Sequence, residues 1–273
     1  MSVPSRLADL HTHCKLCRHA FGEPEEFLAA AIRNDLAFYG ISDHLPAPQG
    51  FDQKSRMNPP EYPQYREIVS QMKKQAEGTG TEVLYACELD YVPGRMQEVA
   101  QFIEHEDFDY IIGSIHYVAD LPIDNHNAIP EMQAYGMDAL WEQYTDMMCE
   151  FVSTFPVNII GHLDLMKIFG FRHSDPAVTL RKMQSVLELC AAKGIMIEIN
   201  TAGLRKPVKE MYPAPELLKL ANRLGVGLTF GSDAHKPEQI TMDFDGAVEL
   251  AKSAGYRCIH AFRKRTPIVI PFQ

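Results

Sequence analysis

A chain of 273 residues, 46% hydrophobic and 23% charged, can bury a large core, as one α/β barrel or as two smaller domains. Its formal net charge of −10, with a pI near 5.5, argues against broad attraction to nucleic acid or to an anionic membrane surface. No apolar stretch approaches ~20 residues, so no membrane span is expected; Met1 to Arg6 lacks the apolar core of a signal peptide, which makes the cytoplasm the expected location.

Strand-like runs alternate with helical patterns along the chain, the signature of repeated βα units. The first strand is Leu7-Ala8-Asp9-Leu10-His11-Thr12-His13, with His19 just beyond it, and Glu23-Pro24-Glu25-Glu26 opens a helix with proline and acids in its first turn. Leu36 to Ser42 is the second strand and delivers Asp43-His44. A Pro-rich loop from Leu45 to Pro60 precedes a helix from Tyr62 to Ala76. The third strand, Glu82 to Val92, carries Glu88; the fourth, Asp109 to Val118, carries His116. A loop from Ala119 to Pro130 leads into a long helix holding Trp141 and Met147.

Asn158 to Met166 is the fifth strand, with Gly161-His162-Leu163-Asp164. A helix from Pro176 to Lys193 stops at Gly194, and Ile195 to Asn200 is the sixth strand. A helix near Pro215 to Leu224 is followed by a seventh strand, Gly227 to Ser232, which delivers Asp233 and His235. A helix from Phe244 to Ala254 and an eighth strand-like stretch, Tyr256 to Phe262, end the pattern. No linker divides the chain, so one domain over 1–273 is expected, closed as a barrel more readily than spread as an open sheet.

Six of these runs, all but the sixth and the eighth, place a metal-type ligand at the carboxyl end, the end at which parallel barrels carry their active sites. Residues two apart on a strand share a face, so His11 and His13 converge, as do Asp233 and His235. His11, His13, His19, His44, Glu88, His116, His162, Asp233 and His235 form a donor set that suits zinc, manganese or iron. These nine candidates suffice for two or three ions if Glu88 bridges a pair, and clustered divalent ions ~3.5–4 Å apart suit phosphoryl transfer and hydrolysis. His105, His126, His173 and His260 lack this setting and are expected to be surface or structural. The six cysteines, including the pair Cys14-x-x-Cys17, are expected to be reduced thiols; no second C-x-x-C completes a four-cysteine zinc site.

At these residues the sequence resembles the polymerase and histidinol phosphatase (PHP) superfamily: His11-x-His13 with His19, Ser42-Asp43-His44, Glu88, His116, Gly161-His162-Leu163-Asp164 and Gly231-Ser232-Asp233-Ala234-His235 stand in that family's order. The resemblance implies a distorted, TIM-barrel-like (β/α)7 barrel of PHP type with three divalent metals. It assigns His11, His13, Glu88 and Asp233 to one ion, Glu88, His116 and His162 to a second, and His19, His44 and His235 to a third. Length and the stretch Asn200-Thr201-Ala202-Gly203-Leu204-Arg205-Lys206-Pro207 resemble the stand-alone phosphatases of the superfamily, which implies hydrolysis of L-histidinol phosphate in histidine biosynthesis. Cys14-Lys15-Leu16 departs from the expected opening motif.

In that reading the metals activate water and clamp phosphate oxygens, and positive side chains cover the remaining charge. Arg205, after the sixth strand, is the first choice for a phosphate fork, with Lys167 and Arg18 as further substrate-binding candidates. Asp164 shares a face with His162 on an extended strand, so it either protonates the leaving alkoxide or orients a ligand imidazole. Asp43 is expected to do the same beside His44, and Asp9 either orients a ligand or does structural work. The expected partner is a small phosphate monoester, with neither nucleic acid nor membrane. The competing readings are a PHP-type phosphodiesterase or exonuclease, a phosphatase of broader specificity, and a metal-binding protein without turnover.

Overall fold

The computed structural model describes residues 6–272. The expectation about the first residues falls mainly on 1–5, outside that range. Seven parallel strands form the sheet in the order β1 (Ala8–Asp9), β2 (Phe38–Ile41), β3 (Glu82–Asp90), β4 (Tyr110–Ser114), β7 (Ile159–Ile160), β8 (Met196–Asn200) and β9 (Leu228–Gly231). A small antiparallel hairpin, β5 (Tyr117–Val118) and β6 (Leu121–Pro122), stands in the connection after β4. The β1 and β9 ends meet through Leu10 N–H to Phe230 O at 2.9 Å, His13 N–H to Ala234 O at 3.0 Å and Asp233 N–H to His11 O at 2.7 Å, so the sheet curls into a nearly closed barrel. The distorted (β/α)7 architecture is therefore as expected.

Helices α1 (Pro24–Arg33), α2 (Tyr62–Gln75), α3 (Met96–Ala100), α4 (Ile129–Tyr135), α5 (Met137–Thr154), α6 (Pro176–Lys193), α7 (Pro215–Arg223) and α8 (Phe244–Ser253) fill the connections. Proline at the first helical position starts α1, α6 and α7, where its missing N–H costs nothing. Gly194 stops α6 with φ 68°. One contiguous apolar cluster joins the strands to the helix faces.

Tyr110 crosses the barrel interior and donates to Leu10 O at 2.5 Å. Gly40 makes this possible, because a Cβ there would stand 1.7 Å from the Tyr110 hydroxyl. The final stretch does not extend the barrel. It pairs with a strand of its own, β10 (Cys258–Arg263) with β11 (Thr266–Pro271), and covers the amino-terminal end, where Lys264 N–H reaches Asp109 Oδ1 at 3.1 Å and Arg265 N–H reaches Asp109 O at 2.8 Å. With that end covered, the carboxyl ends of the strands are left to carry chemistry.

Candidate metal centre

All nine proposed ligands gather at the carboxyl ends of the barrel strands around Glu88. This carboxylate is 1% exposed, and Oε2 lies 2.9 Å from His44 Nδ1, 3.3 Å from His11 Nε2 and 3.6 Å from His13 Nε2. Oε1 lies 3.2 Å from His162 Nε2 and 3.8 Å from His116 Nε2. Asp233 Oδ1 stands 3.1 Å from His13 Nε2, 3.5 Å from His235 Nδ1 and 3.9 Å from His11 Nε2.

The decisive feature is what these atoms lack. His11 Nε2, His13 Nε2, His44 Nδ1 and Glu88 Oε2 are buried and make no hydrogen bond. Buried polar atoms rarely stay unsatisfied, and a cation is the partner that imidazole lone pairs and a carboxylate share. Donor atoms within 4.8 Å of one another form the groups His11, His13 and Asp233; Glu88, His116 and His162; His13, His44 and His235; Cys17, His19 and His235; and His13, Cys17 and Asp43. The residues present fit divalent metal. The first two groups coincide with ligands that the resemblance assigns together. For the third ion it joins His44 to His19 and His235, whereas here His44 converges with His13 and His235, and His19 with His235 and Cys17.

The sequence profile of the PHP domain matches residues 9–202 of this chain. The chain belongs to the PHP domain family. A Deinococcus radiodurans protein named probable histidinol-phosphatase is 34% identical over 259 residues, 95% of this chain and 97% of that one. A Schizosaccharomyces pombe protein of the same name is 27% identical over 267 residues, covering 91% and 85%. The crystal structure of histidinol phosphate phosphatase from Lactococcus lactis, complexed with zinc, L-histidinol and phosphate, superposes with a TM-score of 0.80 at 21% identity, over 96% of this chain and 99% of that one.

Behind the ligands of this PHP barrel runs a layer of acids that sequence patterning largely leaves hidden. Glu198, fully buried in β8, accepts from His11 Nδ1 at 2.9 and 3.0 Å and from the His162 amide at 2.8 Å. Asp90 takes His116 Nδ1 at 2.5 Å and is itself held by Arg56 Nε at 2.5 Å and Nη2 at 2.9 Å. Asp43 takes His13 Nδ1 at 3.2 Å, a different imidazole from the neighbouring His44 it was expected to serve. Each acid fixes hydrogen on the rear nitrogen and turns the Nε2 lone pair inward. Gly231 and Gly161 leave room for Glu198: a Cβ at Gly231 would meet Glu198 Oε2 at 2.5 Å and His11 Cβ at 2.5 Å.

Electrostatics follow this arrangement. Burial opposes a proton on His11, yet the carboxylates of Glu198, Glu88 and Asp233 outweigh it and hold its pKa well above the ordinary value. His13 rises to about 9: burial again opposes the proton, and hydrogen bonds to Asp233 and Asp43 prevail. Burial would raise Glu88, but the facing His44 and His11 carry it well below the usual carboxylate range. Metal-free, the centre is an ion-pair network that a dication displaces by releasing protons.

Two convergences arise differently from the expected strand geometry. The β9 ladder ends at Gly231, and Asp233 reaches the site from a left-handed turn, φ 51°. The fifth barrel strand stops at Ile160, His162 has φ 26°, and a 3-10 turn over Leu165–Lys167 follows. Asp164 is thereby rotated away from His162. It accepts from Ala214 N–H at 2.9 Å and lies 3.0 Å from Lys167 Nζ, so it neither orients His162 nor lines the central cavity.

Lys167 is 1% exposed, and its ammonium also donates to Met211 O at 2.7 Å; it too is absent from the cavity wall. Arg18 turns outward, donating to Arg56 O at 3.1 Å and pairing with Glu61 at 2.5 Å. Asp9 caps backbone amides of Ser232 at 2.9 Å and Thr241 at 3.1 Å, a structural role. His173 is buried, where its Nδ1 accepts from Asp175 N–H at 2.9 Å.

Arg205 does line the cavity, a space of about 370 Å³ that also touches Asp124, Lys206 and Tyr212 along with the ligands. Its Nη2 donates to Ser232 O at 2.6 Å, and its Nη1, buried, has no partner. The Tyr212 hydroxyl is likewise buried and unpartnered. All six cysteines are free thiols. No helix among the described residues is long and apolar enough to cross a membrane.

Proposed function

We propose that this protein is a metal-dependent phosphomonoesterase that hydrolyses L-histidinol phosphate to L-histidinol and phosphate, working as a single domain in the cytoplasm with no nucleic-acid partner. The observation that carries the reading is the buried, unsatisfied Glu88 Oε2 facing three imidazole nitrogens at the floor of a cavity. The D. radiodurans relative, similar over nearly its whole length, supports the substrate.

Three divalent ions fit the donor set, with zinc the best match and manganese or iron compatible with the same ligands. Such ions, when bound, polarise phosphoryl oxygens and lower the pKa of water at the site. His11, His13, Glu88 and Asp233 would hold one ion and Glu88, His116 and His162 another. The protein supplies the rest. Arg205 presents its free Nη1 to the phosphate, in the charge-assisted geometry that suits a phosphoryl oxygen. Asp124 and the Tyr212 hydroxyl, on the same cavity wall, offer a carboxylate and a hydroxyl to the ammonium of an amino alcohol. Leu165, Ile168 and Ala202 supply an apolar surface for its ring.

Steady-state kinetics on histidinol phosphate, an aryl phosphate and a short oligonucleotide, after metal analysis of the same preparation, tests the reading. A preference for histidinol phosphate in kcat/KM is expected. A preference for the oligonucleotide overturns the assignment. Equal rates on both monoesters would leave the chemistry and remove the named substrate.

A further inference from the structure

A second cavity, of about 230 Å³, lies beside the turn that follows His162. Asp164 and Lys167, which are absent from the wall of the metal cavity, line this one, together with Trp141 of α5, His173 and the first turns of α6 and α7. Lys167 connects the two spaces, because its ammonium also stands 5.3 Å from the centre of the Tyr212 ring, part of the metal cavity's wall.

The cations here are already spent. Lys167 Nζ donates to Met211 O at 2.7 Å and lies 3.0 Å from Asp164 Oδ2, and Arg172 Nη2 holds both oxygens of Glu210 at 2.8 and 3.0 Å. The wall adds the Glu216 carboxylate, so an anion finds no free positive charge. What remains free is polar and uncharged, apart from one oxygen. Trp141 Nε1, His173 Nε2 and Asp164 Oδ1 are buried and make no hydrogen bond, and each belongs to a residue more than nine-tenths buried. The indole N–H can only donate. His173 Nδ1 accepts from Asp175 N–H at 2.9 Å, so the neutral ring carries its hydrogen on Nε2, and Glu142 Oε1, 3.7 Å away, is out of hydrogen-bond reach. Two donors and one carboxylate oxygen are therefore left for a guest, at a cost that buried polar atoms rarely bear.

A primary carboxamide answers this set. Its oxygen has two lone pairs for the two donors, its NH2 donates to Asp164 Oδ1, and it brings no charge. An ammonium lacks the acceptor, and a carboxylate lacks the donor. The Trp141 ring, Leu217 and Leu180, which is 39% exposed, supply an apolar wall beside these atoms. The volume falls below the roughly 300–1,000 Å³ of drug-sized sites and suits a single ring. We propose that this cavity is a second ligand site, separate from the metal centre, that takes a neutral primary carboxamide carried on one ring.

Trp141 is the single tryptophan of the chain, so its indole N–H gives one resonance that reports on the site directly. Metal-loaded, nitrogen-15-labelled protein is titrated with benzamide, benzoate and benzylamine. Benzamide is expected to shift the indole resonance saturably in the millimolar range, and the other two to bind at least about tenfold more weakly, each lacking one hydrogen-bonding half. Inorganic phosphate is expected to leave the benzamide shift in place. Thr179→Phe, which fills the cavity from the first turn of α6, should abolish the shift and keep the native kcat/KM for histidinol phosphate. No shift up to about 20 mM benzamide would mean that the cavity holds water alone and would overturn the proposal, a result that needs no variant. Equal affinity for benzoate or benzylamine, displacement by phosphate, or a shift that survives Thr179→Phe would overturn it as well.

Discussion

Replacing Glu198 by glutamine isolates the layer of acids behind the ligands. Its oxygens accept from His11 Nδ1 at 2.9 and 3.0 Å, from the His162 amide at 2.8 Å and from Asn200 Nδ2 at 2.9 Å. Glutamine keeps the volume, but it offers one acceptor oxygen and adds an amide donor that must face a donor already present. The loss is one charge-assisted hydrogen bond, roughly 1.5–3 kcal/mol. At about 1.4 kcal/mol per decade this is roughly a 10- to 100-fold weakening of metal binding, the range that partners behind ligand histidines commonly carry.

The loss should depend on pH. In metal-free protein Glu198 also helps keep His11 protonated against its burial, and an incoming metal must displace that proton. Glutamine weakens both the metal and its competitor. The two effects partly cancel near neutrality and separate in alkali, so the affinity loss is expected to be larger at about pH 9 than at about pH 6.5. Competition for zinc against a chromophoric chelator at both values measures it. A variant whose affinity stays within about twofold of native at both would refute the idea that Glu198 tunes the centre.

Arg205→Ala is expected to lower kcat roughly 10²- to 10³-fold, as loss of one preorganised donor does, with three metal equivalents retained by mass spectrometry; unchanged kcat would remove Arg205 from the phosphate site. Asp124→Asn should raise KM for histidinol phosphate about tenfold and leave an amine-free monoester unaffected, the cost of one exposed charge pair made within a cavity; an equal effect on both substrates would mean that Asp124 does not read the ammonium. Lys167→Met leaves Asp164 without its 3.0 Å partner in a buried position, so about 3–5 kcal/mol of stability should be lost in urea titration while the folded fraction keeps its kcat; a stable variant with lost activity would restore Lys167 to the substrate site. In metal-free protein His13 is raised to about 9 from 6.5, so its contribution to stability is complete below about 6.5 and is lost as pH rises through about 9, on the order of 3 kcal/mol; an unfolding midpoint that is flat across that window would contradict the ion-pair network.

The metal ligands were legible because each sits where an apolar run ends, and the βα alternation put those ends together. The geometry of the ends was not. Extended-strand alternation pairs His162 with Asp164, but the ladder there contains only Ile159 and Ile160, and the turn that follows sends Asp164 to Ala214 instead. Local spacing cannot report where a two-residue strand stops, since neighbouring strands decide it.

Glu198 was illegible for another reason: its partner His11 is 187 residues away, and nothing near it in sequence looks like a motif. The usable signal was the charge itself, a carboxylate within the apolar run Met196-Ile197-Glu198-Ile199, which a fully buried strand tolerates only with a partner. The same reasoning would have flagged Asp90 at the end of Glu82–Asp90. Arg56, its partner, sits in the Pro-rich loop and is 4% exposed, a burial that no composition of that loop reveals.

The acids behind the ligands also set what the centre can hold. Glu88 and Asp233 face the metals directly; Glu198, Asp43 and Asp90 stand behind His11, His13 and His116. With three dications bound, these five carboxylates would leave one positive charge in the centre. Further positive charge belongs to Arg56, paired with Asp90 at 2.5 Å, and to Arg205, whose Nη1 has no partner, while Lys206 and Asp124 on the cavity wall offset each other. A phosphate dianion entering the cavity offsets more of that surplus than a diester, with a single charge, would. On this balance the preference for a monoester comes from the charge of the buried layer, and adding a carboxylate within reach of Arg205, as in Ala202→Asp, should cost affinity for inorganic phosphate measured by calorimetry while metal content holds.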